Sequence, residues 1–229
     1  MNHPPLSPFP LWPYLLIVAV AGLLLTGCPK AAAPPPLAPA APPPAPAPVP
    51  TPPTKENKPV SEEKTVLVIK TVKGPITVEL FDKQVPITTG SFLLLAEDGF
   101  YDGLTFHRIV PGFVIQGGDP NGNGSGGPGF TIPDEVGKGP GLERGILSMA
   151  KTPAPDSAGS QFFVVTGPKS AVAHLDKDFT TFGKVLEGMD VVDKIRQGDK
   201  IEGVTVKSTS PDAEAARKAA KAARKPGSK

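Results

Sequence analysis

A mainly β domain, its sheet rolled into a barrel capped by two helices, is predicted for the centre of this chain. Three observations predict it. Runs rich in β-branched residues are short and follow one another from Thr65 to Lys207, Gly and Pro punctuate the gaps between them, and only two stretches in that region carry apolar residues at helical spacing. A row of short strands leaves exposed edges unless the sheet closes on itself, which is the physical reason to expect a barrel.

The elements follow in order. Thr65 to Thr71 and Pro75 to Leu80 form a hairpin around the Lys73-Gly74 turn. Ile87 to Asp98 places Phe92, Leu93, Leu95 and Ala96 on one helical face, and Gly99 ends it as a C-cap. Thr105 to Val110 and Phe113 to Gln116 are strands around Pro111-Gly112, followed by a glycine-rich loop from Gly117 to Gly129. Ile146 to Met149, Gln161 to Val165 and Thr181 to Val185 are further strands. Glu187 to Arg196 is the second amphipathic helix, through Met189, Val192 and Ile195, and Val204 to Lys207 is the last strand.

The flanks obey different physics. The chain has 229 residues, one of them cysteine, so no intramolecular disulfide and no thiol cluster for zinc can form. That cysteine, Cys28, closes Leu25-Thr26-Gly27-Cys28 directly after the apolar stretch Tyr14 to Leu25, which is far short of the about 20 residues that span a bilayer. The arrangement resembles a bacterial lipoprotein lipobox. It implies removal of a signal peptide, residues 1–27, a diacylglycerol on the Cys28 sulfur, and an extracytoplasmic, lipid-anchored protein. In a cell with two membranes, Pro29 after that cysteine resembles an outer-membrane destination facing the periplasm. From Pro29 to Pro59 the chain is nearly all Pro and Ala, an extended tether able to hold the following domain up to roughly 100 Å from the anchor at about 3.1 Å per residue. Residues 28–60 are thus tether, 61–210 the folded domain, and 211–229 a basic Ala- and Lys-rich tail. The tail is read as solvated with a marginal helix after Ser210-Pro211; contact with anionic lipid through Arg217, Lys218, Lys221 and Arg224 is the alternative. With a net charge of +2 and both signs interspersed through the centre, a nucleic-acid partner is not expected.

The core contains no Gly-x-x-x-x-Gly-Lys, His-Glu-x-x-His or Gly-x-Ser-x-Gly motif, so phosphate hydrolysis, zinc proteolysis and serine acyl transfer lose their usual signatures. Asp119-x-Asn121-x-Asn123-Gly124 matches the first half of a calcium loop, but Phe130 stands where the bidentate glutamate belongs. The informative run is Phe106-His107-Arg108-Ile109-Val110-Pro111-Gly112-Phe113-Val114-Ile115-Gln116-Gly117-Gly118-Asp119. Alternation puts Phe106, Arg108 and Val110 on one face, with His107 and Ile109 opposite, and gives Val114 and Gln116 a shared face beyond the turn. A guanidinium, a neutral amide and an aromatic ring would gather there without a nucleophile or an acid-base pair.

This run resembles the cyclophilin signature, and the resemblance continues through Gly145 to Ala150, Gly159-Ser160-Gln161-Phe162-Phe163 and Phe182-Gly183-Lys184-Val185, in the family order. It covers roughly Thr65 to Ser208. It implies a closed barrel of eight antiparallel strands capped by two helices, and peptidyl-prolyl cis-trans isomerase activity on exposed X-Pro bonds; a compact barrel on an extended tether suggests a monomer. By resemblance, Arg108, Phe113 and Gln116 are the catalytic residues: Arg108 donates to the prolyl nitrogen and Gln116 to the substrate carbonyl. Phe113, Val114, Phe163 and Leu175 line the proline pocket, with Ala150, Lys151, Gln161, His174 and Phe179 bordering the groove. No metal or cofactor is implied. The alternative is a chaperone module that holds proline-containing segments without turnover. Departures from the family pattern alter the groove rim: His174 stands where many members carry Trp, Phe179 where His or Tyr is common, and Lys151 in place of a frequent Asn. Gly90-Ser91 replaces a familiar Ala-Asn in the first helix, at an expected cost of about 1 kcal/mol against Ala.

Overall fold

The computed structural model describes residues 64–227; the signal segment, Cys28 and the tether lie outside the described residues. Strand β1 (Thr65–Thr71) turns through Val72 and Lys73 into β2 (Gly74–Leu80), with Thr71 paired to Gly74 and Thr65 to Leu80. The Thr71 hydroxyl stabilises the turn, accepting the Lys73 N–H and donating to the Gly74 carbonyl. Helix α1 (Pro86–Glu97) begins with proline at its first position, where the missing N–H costs nothing. It ends as the sequence suggests. Gly99, at φ +68°, donates to the Ala96 carbonyl and Phe100 to that of Leu95, the paired bonds of a Schellman stop.

The remaining strands are β3 (Arg108–Val110), β4 (Val114–Gly117), β5 (Phe130–Thr131), β6 (Ile146–Met149), β7 (Phe162–Val165), β8 (Thr181–Glu187), β9 (Ile201–Ser208) and β10 (Lys225–Pro226). Eight of them make one antiparallel sheet in the order β3-β4-β7-β6-β8-β2-β1-β9, and β10 pairs with β5. The sheet is a half-barrel rather than the closed ladder expected, because β3 and β9 do not pair. Thr105 to His107, expected as the start of β3, keep only isolated bridges from Thr105, one to Asp119 in the register of β3 and β4 and one to Lys200. Backbone bonds from Gly103 to Ile201, Ile201 to Leu104, Phe106 to Asp199 and Gly198 to Phe106 span the gap.

Residue alternation sorts side chains onto two faces. Inside the sheet lies the main core, where Phe92 of α1 stacks on Tyr101 at 4.8 Å, meets Phe162 edge-on at 5.5 Å and tilts against Phe182 at 5.1 Å. Tyr101 is fully buried, and its hydroxyl donates to the Ser160 carbonyl. Phe106 joins this interior group, edge-on to Phe162, so it does not share the outward face of Arg108 as the alternation suggested. A second apolar cluster on the outer face contains Val114, Ile146, Phe163 and Val165.

Two further expectations need correction. The second helix is only α3 (Met189–Val192), since Glu187 still belongs to β8 and Gly188 turns the chain at φ +92°; a further short helix, α2 (Lys169–Val172), runs into a 3-10 turn at Ala173–Leu175. The C-terminal segment is not a solvated tail through its first part. It forms α4 (Ala213–Ala223), which buries Ala213, Ala216 and Ala220 and packs along α1. The stripe is made of alanines, too small to register as an apolar face, and works because α1 supplies Gly90. A Cβ at Gly90 would stand 2.0 Å from the Ala216 carbonyl oxygen. Arg217 then grips Glu97 through both Nε and Nη2.

Gly90→Ala should therefore destabilise the protein, although alanine is intrinsically the better helix former by about 1 kcal/mol. Overpacking of this order costs about 1–3 kcal/mol. Chemical unfolding, together with hydrogen exchange of the α4 amides, checks this; a more stable variant with unchanged α4 protection would contradict it.

Candidate active site

Cross-strand partners in an antiparallel sheet project to the same face, so register decides which side chains meet. Arg108 lies opposite Gln116, Gln116 opposite Phe163, and Phe163 opposite Ser148, giving a row across β3, β4, β7 and β6. Interior positions on these strands belong to Ile115, Leu147, Phe162 and Val164. The row therefore occupies the outer face. Ser148 is no nucleophile: it is buried and its hydroxyl donates to the Thr180 carbonyl.

A polar relay runs along one side of the row. Arg108 Nη1 donates to Gln116 Oε1 at 3.4 Å, Gln116 Nε2 donates to Gln161 Oε1 at 3.0 Å, and Gln161 Nε2 donates to the carbonyls of Gly124 and Gly126, both at 2.9 Å. Each link fixes the amide before it, so the loop carbonyls set which end of Gln116 faces Arg108. The guanidinium itself is exposed, makes one long hydrogen bond, and has no carboxylate in ion-pair range among the described residues. Most of its donors remain available.

The other side of the row is apolar. Phe113, Ala150, Leu175 and Phe179 pack against Val114 and Phe163. Phe179 meets Phe163 edge-on at 5.6 Å, and the exposed His174 ring lies nearly parallel to Phe113 at 6.2 Å. Phe113 is positioned from below: its carbonyl accepts N–H groups from Thr166 and Gly167. A Cβ at Gly167 would fall 1.9 Å from the Gly112 carbonyl oxygen, so only glycine allows this approach. Ala150 donates its N–H to the Gln161 carbonyl, which sets Lys151 beside the groove edge. The Lys151 ammonium, however, is committed to Asp134 at 2.7 Å and is mostly buried.

The structure thus gathers Arg108, Gln116 and Gln161 in one relay and Phe113, Val114, Ala150, Phe163, His174, Leu175 and Phe179 around one apolar patch, with Lys151 turned to structural use at the margin. Sequence reasoning missed Asp134, Gly167 and the two loop carbonyls. Gly167 alone had a signal, a Gly-Pro pair just beyond a strand. His107 lies behind Arg108, half-buried, with neither ring nitrogen partnered among the described residues. Burial lowers its pKa, the neighbouring Arg108 cation lowers it further, and Asp119 opposes both. Asp119 in turn is occupied. Burial works against its ionisation, but N–H groups of Asn121, Gly124 and Asn123 outweigh this and hold its carboxyl below the usual range. The carboxylate closes its own loop, which accounts for the half-match to a calcium motif.

The row thus sets the exposed Arg108 cation beside an apolar patch built on Val114 and Phe163. Residues 66–214 match the family described as cyclophilin type peptidyl-prolyl cis-trans isomerase/CLD. The peptidyl-prolyl cis-trans isomerase of Synechococcus elongatus is 46% identical over 144 residues, covering 62% of this chain and 96% of that protein. That of Helicobacter pylori is 49% identical over 144 residues, 62% of this chain and 86% of its own length. Among solved structures, a cyclophilin type peptidyl-prolyl cis-trans isomerase of Cryptosporidium parvum shares 30% identity at a TM-score of 0.59, covering 64% of this chain and 99% of that one. The Cryptosporidium parvum protein has also been solved in the presence of the dipeptide Ala-Pro, where the TM-score is 0.57. The chain belongs to the cyclophilin-type peptidyl-prolyl cis-trans isomerase family, and is an enzyme of that class.

Proposed function

We propose that the outer-face row is where this isomerase turns X-Pro bonds, with Arg108 as the residue that lowers the rotation barrier. The observation that carries the reading is the free guanidinium of Arg108 in cross-strand register with Gln116, beside the patch built on Phe113 and Phe163. Support also comes from the related protein solved in the presence of the dipeptide Ala-Pro, whose proline ring is of the chemistry this patch suits.

Amide resonance sets a barrier of about 18–20 kcal/mol, and X-Pro bonds isomerise unaided in tens to hundreds of seconds. As the bond twists, the prolyl nitrogen regains a lone pair. A donor aimed at that nitrogen binds the twisted state better than either planar one, which is the condition for catalysis. Arginine suits the task because it stays charged and presents several N–H groups in a plane. The proline ring seats against Phe113, Val114, Phe163 and Leu175. Gln116, its orientation set through Gln161, offers an amide to the substrate carbonyl so that the ring stays anchored while the preceding segment turns. Ala150, Lys151, His174 and Phe179 shape the rim. No bond breaks, so no proton or electron has to be moved.

The clients we assign are proteins folding in or crossing the cell envelope, reached by a monomer held on a lipid at Cys28 by the Pro- and Ala-rich tether. Support for this comes from Leu25-Thr26-Gly27-Cys28 and the composition of residues 29–59. Cys28→Ser is expected to move the chain from the membrane to the soluble fraction of fractionated cells; an unchanged membrane share would remove the anchor from the account.

A charge-assisted hydrogen bond is worth about 1.5–3 kcal/mol, roughly 10- to 150-fold in rate. Arg108→Ala should lower acceleration of cis-trans exchange in a short X-Pro peptide by that factor, read by NMR exchange spectroscopy with the fold intact. Undiminished exchange would take the catalytic role from Arg108. A wild-type protein that binds the peptide without accelerating exchange would favour the binding module.

A further inference from the structure

The family match ends at residue 214, yet the chain continues through α4 and returns to the domain at β10, close to the loops that carry the polar relay. We propose that this last segment, Arg224–Gly227, is a positioning clamp for the substrate groove, holding together the two loops on which Gln161 and Lys151 depend. The inference rests on the outer-face row being the working site.

The contacts fall into two groups. On the first loop, Lys225 and Pro226 pair with Thr131 and Phe130, and the Gly227 N–H donates to the Gly129 carbonyl at 3.1 Å. The Arg224 guanidinium lies 4.0 Å from the centroid of the Phe130 ring. Its Nε and Nη2 are buried without a hydrogen-bond partner among the described residues, which is the desolvated setting where a cation on a ring counts most. On the second loop, Lys225 Nζ binds Asp156 Oδ2 at 2.9 Å. Asp156 Oδ1 accepts the Asp134 N–H, the Asp156 N–H donates to Asp134 Oδ2, and that same oxygen takes the Lys151 ammonium. Asp156 sits at φ +56°, the one non-glycine residue in the left-handed region among those described, a conformation that needs such outside support.

The two groups converge on the relay. The strand pairing fixes the chain at Gly129 to Thr131, three residues beyond Gly126, whose carbonyl with that of Gly124 orients Gln161. The loops also touch directly, since Ile132 donates to the Ala158 carbonyl and a Cβ at Gly159 would come within 2.9 Å of Pro128 Cδ. Helix α4 supplies the reach. Its 11 residues cover roughly 16 Å at about 1.5 Å each, from the Ser210 end of the barrel to the groove side, and the Gly90 and Glu97 contacts fix its path. Releasing β10 therefore loosens the carbonyls, then Gln161, then Gln116, while Arg108 and the Phe113 pocket keep their own supports.

The test uses the full chain, a form ending at Ala223, and Lys225→Ala, with Lys225→Arg as the conservative variant. The two disruptive forms should raise KM for an X-Pro peptide roughly three- to tenfold, the scale of one hydrogen bond, with kcat changed less than twofold. In their NMR spectra the Gln161 side-chain amide and the Gly124 to Phe130 backbone amides should shift and broaden, while the α1 amides stay in place; Lys225→Arg should restore both readouts. An unchanged KM together with an unmoved Gln161 amide in the Ala223 form would overturn the clamp. Should the wild type itself fail to accelerate exchange, the functional reading falls, and the Gln161 amide still decides the clamp by itself.

Discussion

Strand β7 is buried on both faces, and the site depends on what that requires of its neighbours. Phe162 and Val164 fill the interior while Phe163 and Val165 pack outward, all 5% exposed or less. A one-residue slip against β4 would exchange the two sets, driving the interior ring out and Phe163 into a space already full. Burial of this kind is worth about 1.5–3 kcal/mol for each large side chain, so several together leave a single register possible. That register places Gln116 opposite Phe163, and through β3 it places Arg108 opposite Gln116. The geometry of the proposed site is thus a by-product of packing rather than of any strong bond between Arg108 and Gln116, whose direct contact is a long 3.4 Å hydrogen bond.

Close backbone approach is the second recurring device. Gly167 lets the Gly112–Phe113 turn rest on the chain beyond β7, and Gly90 lets α4 rest on α1. In each case the missing side chain is the feature selected, and in each case the intrinsic cost of glycine is offset by a contact made elsewhere in the sequence. Gly90 looks like a local defect in a helix only when α4 is out of view.

This explains what could be read in advance. The first hairpin, α1 with its Gly99 stop, β4, β6, β7 and β8 were legible because period-2 alternation and Gly or Pro punctuation are local signals. The start of β3 was not. Phe106 is drawn inward by Phe162, and its backbone is claimed by Asp199, a residue far along the chain. The fate of residues 187–196 turned on Gly188, and that of the tail on an alanine stripe whose partner lies more than a hundred residues away. At the site, the side chains of the row and the pocket were visible as a family pattern. Their supports were not, because the Gly124 and Gly126 carbonyls are backbone groups, and the Lys151 charge is spent on an aspartate that no spacing rule connects to it.

The central claim is that proline docks on the outer face, across the register that β7 enforces. Intermolecular NOEs between a short X-Pro peptide and the full chain test it most directly. The account predicts contacts from the proline ring protons to the Phe113 and Phe163 rings, and from the residue before proline to the Gln116 side-chain amide. Contacts confined to another surface, or a bound peptide with none to Phe113 and Phe163, would contradict it.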